Sequence, residues 1–329
     1  MTLLAPTLEA FFIERLMSQK NASPHTIASY RDCLRLLLMF VHDTTGKAPS
    51  ALHIDDLDAA MIAAFLDHLE QHRGISVASR NTRLAAVRSL FRFAALRHPE
   101  HSAVIQRVLA IPAKQGDRAL VCFLTACEVD ALLDSPDLGT RIGRRDQALL
   151  VVAVQTGLRV SELTGLRRRD IHLGTGAHLA CRGKGRKDRA TPLTRGTVVV
   201  LRGYLTERGG GPDDPVFAGP HGDELSRDAV RRLVQRHTRA AVPHCPSLAT
   251  KIVSPHVLRH TCAMRLLESG CDLATIALWL GHANVATSQI YLHAYMALKE
   301  KAIARTAPPD ARPGRYRPPD KLLAFLEQL

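Results

Sequence analysis

The chain has 329 residues with 44 Lys+Arg against 31 Asp+Glu, a formal net charge of +13, and 46% of its residues are apolar. That length and apolar content suit two domains with cores of their own and exclude disorder as the main state. The excess charge sits in the second part: residues 1–118 hold 14 basic and 11 acidic side chains, residues 119–329 hold 30 and 20. Such an imbalance favours a polyanionic partner, with nucleic acid ahead of a membrane surface.

The first hundred residues read as helices. Thr7 can cap a helix through Lys20, and Ser23-Pro24 opens a second whose Ile27, Tyr30, Leu34, Leu37, Leu38 and Val41 recur at helical spacing until Gly46. Two more follow, residues 58–72 before Gly74 and residues 76–96 before Pro99. Together they predict a four-helix bundle. Its last helix carries Arg80, Arg83, Arg88 and Arg92 around an apolar stripe, with no acidic residue from Gln71 to Pro99. That pattern points to DNA phosphate contact over a merely solvated basic face.

Residues 98–124 read as a connector, and Thr125 with Glu128 forms a capping box that starts the second domain. A helix at 146–155 and a short one from Arg159 precede three β-like runs at 171–173, 178–182 and 190–193, expected to pair as a small antiparallel sheet. Helical patterning then resumes from Arg195 to Ala304. Residues 307–319 contain five prolines, an extended spacer, and residues 320–329 place Leu322, Phe325, Leu326 and Leu329 on one face of a helix too short to be stable alone, which must dock on its own domain or on a neighbouring protomer. The domain expectation is therefore 1–108, 119–306 and a 307–329 tail.

Seven cysteines without a C-x-x-C pair predict a reducing cytosol. The apolar run at 148–154 is far short of the roughly 18 residues of a membrane span, and no leader-like segment precedes Arg15, so a cytoplasmic protein with no membrane partner is expected.

Three segments concentrate chemistry: TGLRVSEL, with Arg159 after a glycine break; the turn Gly183-Lys184-Gly185; and SPHVLRHT, with His256 and Arg259 on one helix face, followed by His282 and Tyr291. Each alone is an ordinary structural or surface feature. As a set, guanidinium groups and an ammonium suit a tetrahedral anion, and a phenol can attack its phosphorus while imidazole or ammonium moves the protons. Glu268 and Asp272 are the only carboxylates between Ser254 and Tyr295, too few for a two-metal site, and the spacing of His256, His260, Cys262 and Cys271 fits no usual zinc pattern. No metal and no cofactor is expected. His260, His293, Tyr295, Trp279, Cys262 and Cys271 are assigned to packing.

The stretches TGLRVSEL, GKGRKDRATPL, HVLRHTCAMRLLESGCDLATIALWLGH and IYLH, in that order, resemble the boxes of the tyrosine recombinase, or phage integrase, family, Xer-like or from a mobile element. The resemblance covers residues 7–300. It implies a mainly α chain: a SAM-like core-binding bundle, then an α+β catalytic domain with a small antiparallel sheet. It further implies that Arg159 and Arg259 clamp the scissile phosphate, Lys184 protonates the leaving 5′ oxygen, His256 and His282 assist, Tyr291 is the nucleophile and Glu162 supports the first arginine. The implied partner is double-stranded DNA, bound by a homo-tetramer, or a hetero-tetramer with related recombinases, on two sites. A type IB topoisomerase is the runner-up, and a catalytically dead DNA-binding regulator on the same fold is a further alternative. Intact Arg159, Arg259 and Tyr291 argue against the latter.

Overall fold

The computed structural model describes residues 2–116, 121–182, 188–281 and 291, and it divides into two compact units, Met1–Arg118 and Ala119–Leu329. The first unit contains α1 (Leu4–Ala10), continued by a π-type helical run (Phe11–Gln19), then α2 (Pro24–Thr45), α3 (Ala59–Arg73), α4 (Val77–Ala95) and α5 (Ser102–Ala110). Ser23, Asp58 and Ser76 accept backbone N–H bonds from Thr26, Met61 and Ser79, so each closes the open amides of a helix start. Gly46 and Gly74 end α2 and α3 in the left-handed region. Phe11, Leu37, Ile62, Phe65, Leu66 and Val87 share a core from which solvent is excluded, each such side chain contributing about 1.5–3 kcal/mol by burial.

Two expectations change here. Thr7 caps nothing: α1 starts at Leu4, and the Thr7 hydroxyl is buried against His98 Nε2 at 2.8 Å. The expected connector contains α5, because Pro99 opens a helical turn instead of ending the structure, and Ile105 and Val108 enter the core one turn apart. Beyond α5, Asn81 exchanges two hydrogen bonds with the Lys114 backbone, at 2.8 and 3.0 Å.

The second unit contains α6 (Ala126–Asp134), α7 (Arg141–Thr156), α8 (Val160–Thr164), β1 (Ile171–His172), β2 (His178–Arg182), β3 (Asp188–Pro192), α9 (Arg195–Arg208), α10 (Arg227–Ala241), α11 (Pro255–Glu268) and α12 (Leu273–Leu280). The Thr125–Glu128 capping box opens α6. The strands form an antiparallel sheet in the order β1-β2-β3, with Leu179 opposite Thr191 and Cys181 opposite Arg189. Helical structure does not run unbroken from Arg195: three glycines and Pro212 stop α9, and residues 209–226 form a loop held by bridges of Arg167 to Pro215 and Ala218 to Glu224. Leu149, Val152, Leu201, Phe217 and Val234 anchor the main core. Beneath it, Asp146 is buried among Arg145, Arg236 and His237.

A smaller cluster joins Cys262, Met264, Leu267, Ile276 and Leu280 to Tyr291, which is helical, with Trp279 and Cys271 packed beside it. All seven cysteines are free. Among the described residues, no helix is long and apolar enough to cross a membrane. Lys184, His282, His293, Tyr295 and the tail lie outside the described residues.

Candidate active site

Gly157 ends α7 in the left-handed region, and a Cβ there would come within 2.6 Å of Leu280 Cδ2, so the chain turns tightly against α12. That turn places Arg159 at the cap of α8. Glu162, 5% exposed, accepts from the Arg159 backbone N–H at 2.8 Å and from Arg159 Nη1 at 2.9 Å. Both the main chain and the guanidinium of Arg159 are thereby fixed by one carboxylate. Arg159 Nη2 donates to the Gly281 carbonyl at 3.1 Å, and the side chain keeps 27% exposure.

Arg259 reaches the same place from α11, which starts at the Ser254 cap with Pro255 in its first turn. It donates to the carbonyls of Gly157 at 2.6 Å and Leu280 at 2.7 Å, and is 4% exposed. Burial, reinforced by the charge of Arg159, lowers its pKa to about 10, so the guanidinium stays protonated at neutral pH. Two arginines 100 positions apart in sequence thus hang from one pair of helix ends, those of α7 and α12.

A third guanidinium joins them. Arg189, on β3, donates to Glu162 Oε2 at 2.9 Å and to the Leu280 carbonyl at 2.7 Å. Sequence reasoning missed it inside GKGRKDRATPL, where Lys184 held the attention. The available signal was strand alternation, since residue 189 shares a face with the buried Thr191.

Tyr291 is 1% exposed, and its hydroxyl shares a 3.1 Å hydrogen bond with His260 Nδ1. Burial raises the phenol's pKa to about 12 despite the opposing charge of Arg259. His260 is lowered by burial and then by the charges of His256 and Arg259. The packing role expected of His260 therefore has a polar component directed at the phenol. His256 is exposed and stacks on His260, ring centroids 6.1 Å apart. Among the described residues, no group of three His, Cys, Asp or Glu is placed to hold a metal.

Residues 122–297 match the phage integrase family, and residues 10–98 match the phage integrase N-terminal SAM-like domain. A putative integrase/recombinase of Sinorhizobium fredii, y4rC, is 55% identical over 326 residues, 99% of this chain and 98% of that one. The chain belongs to the phage integrase family. Tyrosine recombinase XerC of Pelobacter propionicus is 37% identical, over 84% of this chain and 87% of its own. The XerH site-specific recombinase bound to its palindromic difH substrate, in a post-cleavage complex, matches with a TM-score of 0.69 at 26% identity, over 87% of this chain and 82% of that one. As a tyrosine recombinase, the protein is an enzyme of DNA strand cleavage and rejoining through a tyrosine-linked intermediate.

The N-terminal arginines of this tyrosine recombinase divide. Arg80 departs from the expectation of phosphate contact: it is 5% exposed and its Nε lies 3.1 Å from Glu70 Oε2, a carboxylate on the preceding helix. A buried, paired guanidinium has no free charge for DNA. Arg88 is half-buried and donates to the Ile111 carbonyl, and Arg83 reaches the Ser29 carbonyl at 3.4 Å. Arg92 is exposed, lining a cavity of about 230 Å³ with Arg15, Gln19, Lys20 and Arg97. Arg15 and Lys20 therefore stand beside Arg92, while Arg97 is paired with Glu14.

Proposed function

We propose that the protein is a site-specific DNA recombinase in which Tyr291 attacks a scissile phosphate to form a 3′-phosphotyrosyl link and free a 5′ hydroxyl. Arg159 and Arg259 hold the non-bridging oxygens and bind more tightly as charge builds in the transition state. Lys184 protonates the departing 5′ oxygen, and His256 and His282 assist proton transfer and phosphate binding. A second strand's 5′ hydroxyl then attacks the link. One phosphodiester is replaced by an ester of similar energy at each step, so the chemistry requires no nucleotide. The observation that carries this reading is the convergence of Arg159 and Arg259 on the carbonyls of Gly157, Leu280 and Gly281, with Glu162 bracing the first of them.

Tyr291 is 1% exposed and bonded to His260. Arg92, with Arg15 and Lys20, supplies phosphate contacts on the N-terminal unit. Exchange of both strand pairs needs four protomers, which supports a tetramer on two DNA sites, of one recombinase or of related ones, acting in the cytoplasm. Incubation with a nicked suicide duplex tests the chemistry. The wild type should yield a denaturant-stable adduct that maps to Tyr291, and Tyr291→Phe should bind DNA without forming it. An adduct that persists in the variant, or maps to Tyr295, would refute the assignment.

A further inference from the structure

Arg189 lies between the two phosphate-clamping arginines and shares an acceptor with each. Its Nη2 and the Arg159 backbone N–H both donate to Glu162 Oε2, at 2.9 and 2.8 Å. Its Nη1 and Arg259 Nη2 both donate to the Leu280 carbonyl, each at 2.7 Å. The guanidinium is nearly enclosed, and its Nε is buried without a hydrogen-bond partner. Gly281 turns beneath it in the left-handed region, where an added Cβ would run into Arg189 Nη1.

An inward arginine on a strand is costly unless its charge is matched, and an unmatched buried Nε adds to that cost. The arrangement is therefore not what packing alone would select. What it does is tie three separate pieces together: the Glu162 carboxylate on α8, the end of α12 and strand β3. Arg159 and Arg259 can aim their remaining N–H groups at a phosphate only if those acceptors stay in place. With Arg189 absent, Glu162 Oε2 and the Leu280 carbonyl each lose a donor, and each clamping guanidinium can swing into the vacated position.

We propose that Arg189 is a positioning residue for strand cleavage, acting through Glu162 and the Leu280 carbonyl to hold Arg159 and Arg259 in register on the scissile phosphate. This rests on the roles given above to Arg159, Arg259 and Tyr291. A misplacement of about 1 Å at such a site costs on the order of a hundred-fold in rate, without a matching loss of DNA affinity, because the rest of the protein–DNA contact is untouched.

The test is a double-mutant cycle in the full-length chain, read as the rate of covalent adduct formation on saturating suicide duplex. Arg189→Gln should slow cleavage by roughly a hundred-fold with DNA half-saturation little changed. Combined with Glu162→Gln, it should be no slower than about three-fold below the slower single variant, since both act through one contact. Arg189→Lys, which keeps the charge but meets only one acceptor, should recover part of the rate and serves if the Gln variant does not fold. Penalties that multiply in the double variant, or a variant that cleaves like the wild type, would overturn the inference. A wild type that forms no adduct at Tyr291 would instead sink the underlying assignment.

Discussion

Removing the carboxylate of Glu162 is the sharpest perturbation of this site. Glu162→Ala deletes the acceptor of three bonds, from the Arg159 backbone, Arg159 Nη1 and Arg189 Nη2, all between 2.8 and 2.9 Å. Breaking a buried ion pair by removing one partner costs about 3–5 kcal/mol, because the other charge is left uncompensated. Water reaches Arg159, 27% exposed, and screens part of that, so the lower end, about 3 kcal/mol, applies. For a unit of this size each kcal/mol lowers the melting temperature by about 2–4 °C, giving a drop of roughly 6–12 °C. Trp279 is the only tryptophan in the sequence and packs beside the Tyr291 cluster, so its fluorescence follows this unit's thermal unfolding specifically. Glu162→Gln, which keeps the volume, should in addition slow adduct formation by about a hundred-fold. A melting shift under about 2 °C together with unchanged cleavage would refute the claim that Glu162 anchors the arginines.

Acid should act on the catalytic unit through Asp146. Burial alone would raise its pKa, but bonds from His237 and Arg145 pull it below the ordinary value, so its contribution is present above about pH 4 and is lost as pH falls through the folded-state value. Asp146→Asn should cost about 3–5 kcal/mol at neutral pH and flatten the acid limb of urea-midpoint measurements, and an equally steep limb in the variant would contradict this. Cleavage should survive EDTA, since guanidinium groups neutralise the phosphate, and loss of activity restored by magnesium would count against that mechanism. DNA affinity, measured by fluorescence anisotropy, should fall by several orders of magnitude between about 50 and 200 mM salt if around ten phosphates are engaged, and Arg92→Ala should flatten that slope by about one charge while Arg80→Ala should not.

What the sequence disclosed and what it hid follow a physical division. Caps are local, so Ser23 and the Thr125–Glu128 box located helix starts correctly. Pro99 and Thr7 misled because each fits two positions: proline breaks a helix interior but suits a first turn, and a threonine can cap or be buried. The run from Arg195 was read as continuous although residues 209–212 are Gly-Gly-Gly-Pro. Arg80 was assigned to DNA because its neighbours in sequence held no acid, whereas its partner, Glu70, comes from another helix. The convergence of Arg159, Arg189 and Arg259 was hidden for a deeper reason. Four of the six bonds their side chains donate end on backbone carbonyls, and a carbonyl carries no residue identity for a motif to record.

Those carbonyls also set the charge balance of the site. They lie at the C-terminal ends of α7 and α12, where the aligned peptide dipoles of a helix place roughly half a negative charge each. Among the described groups, three guanidinium charges stand against one carboxylate and about one further unit from the two helix ends, a surplus of roughly one positive unit before the Lys184 ammonium is added. A phosphodiester brings one negative charge and neutralises that surplus; the transition state of tyrosine attack carries more negative charge than the ground state and is favoured further. Because a peptide dipole cannot be titrated, this part of the balance does not change with pH.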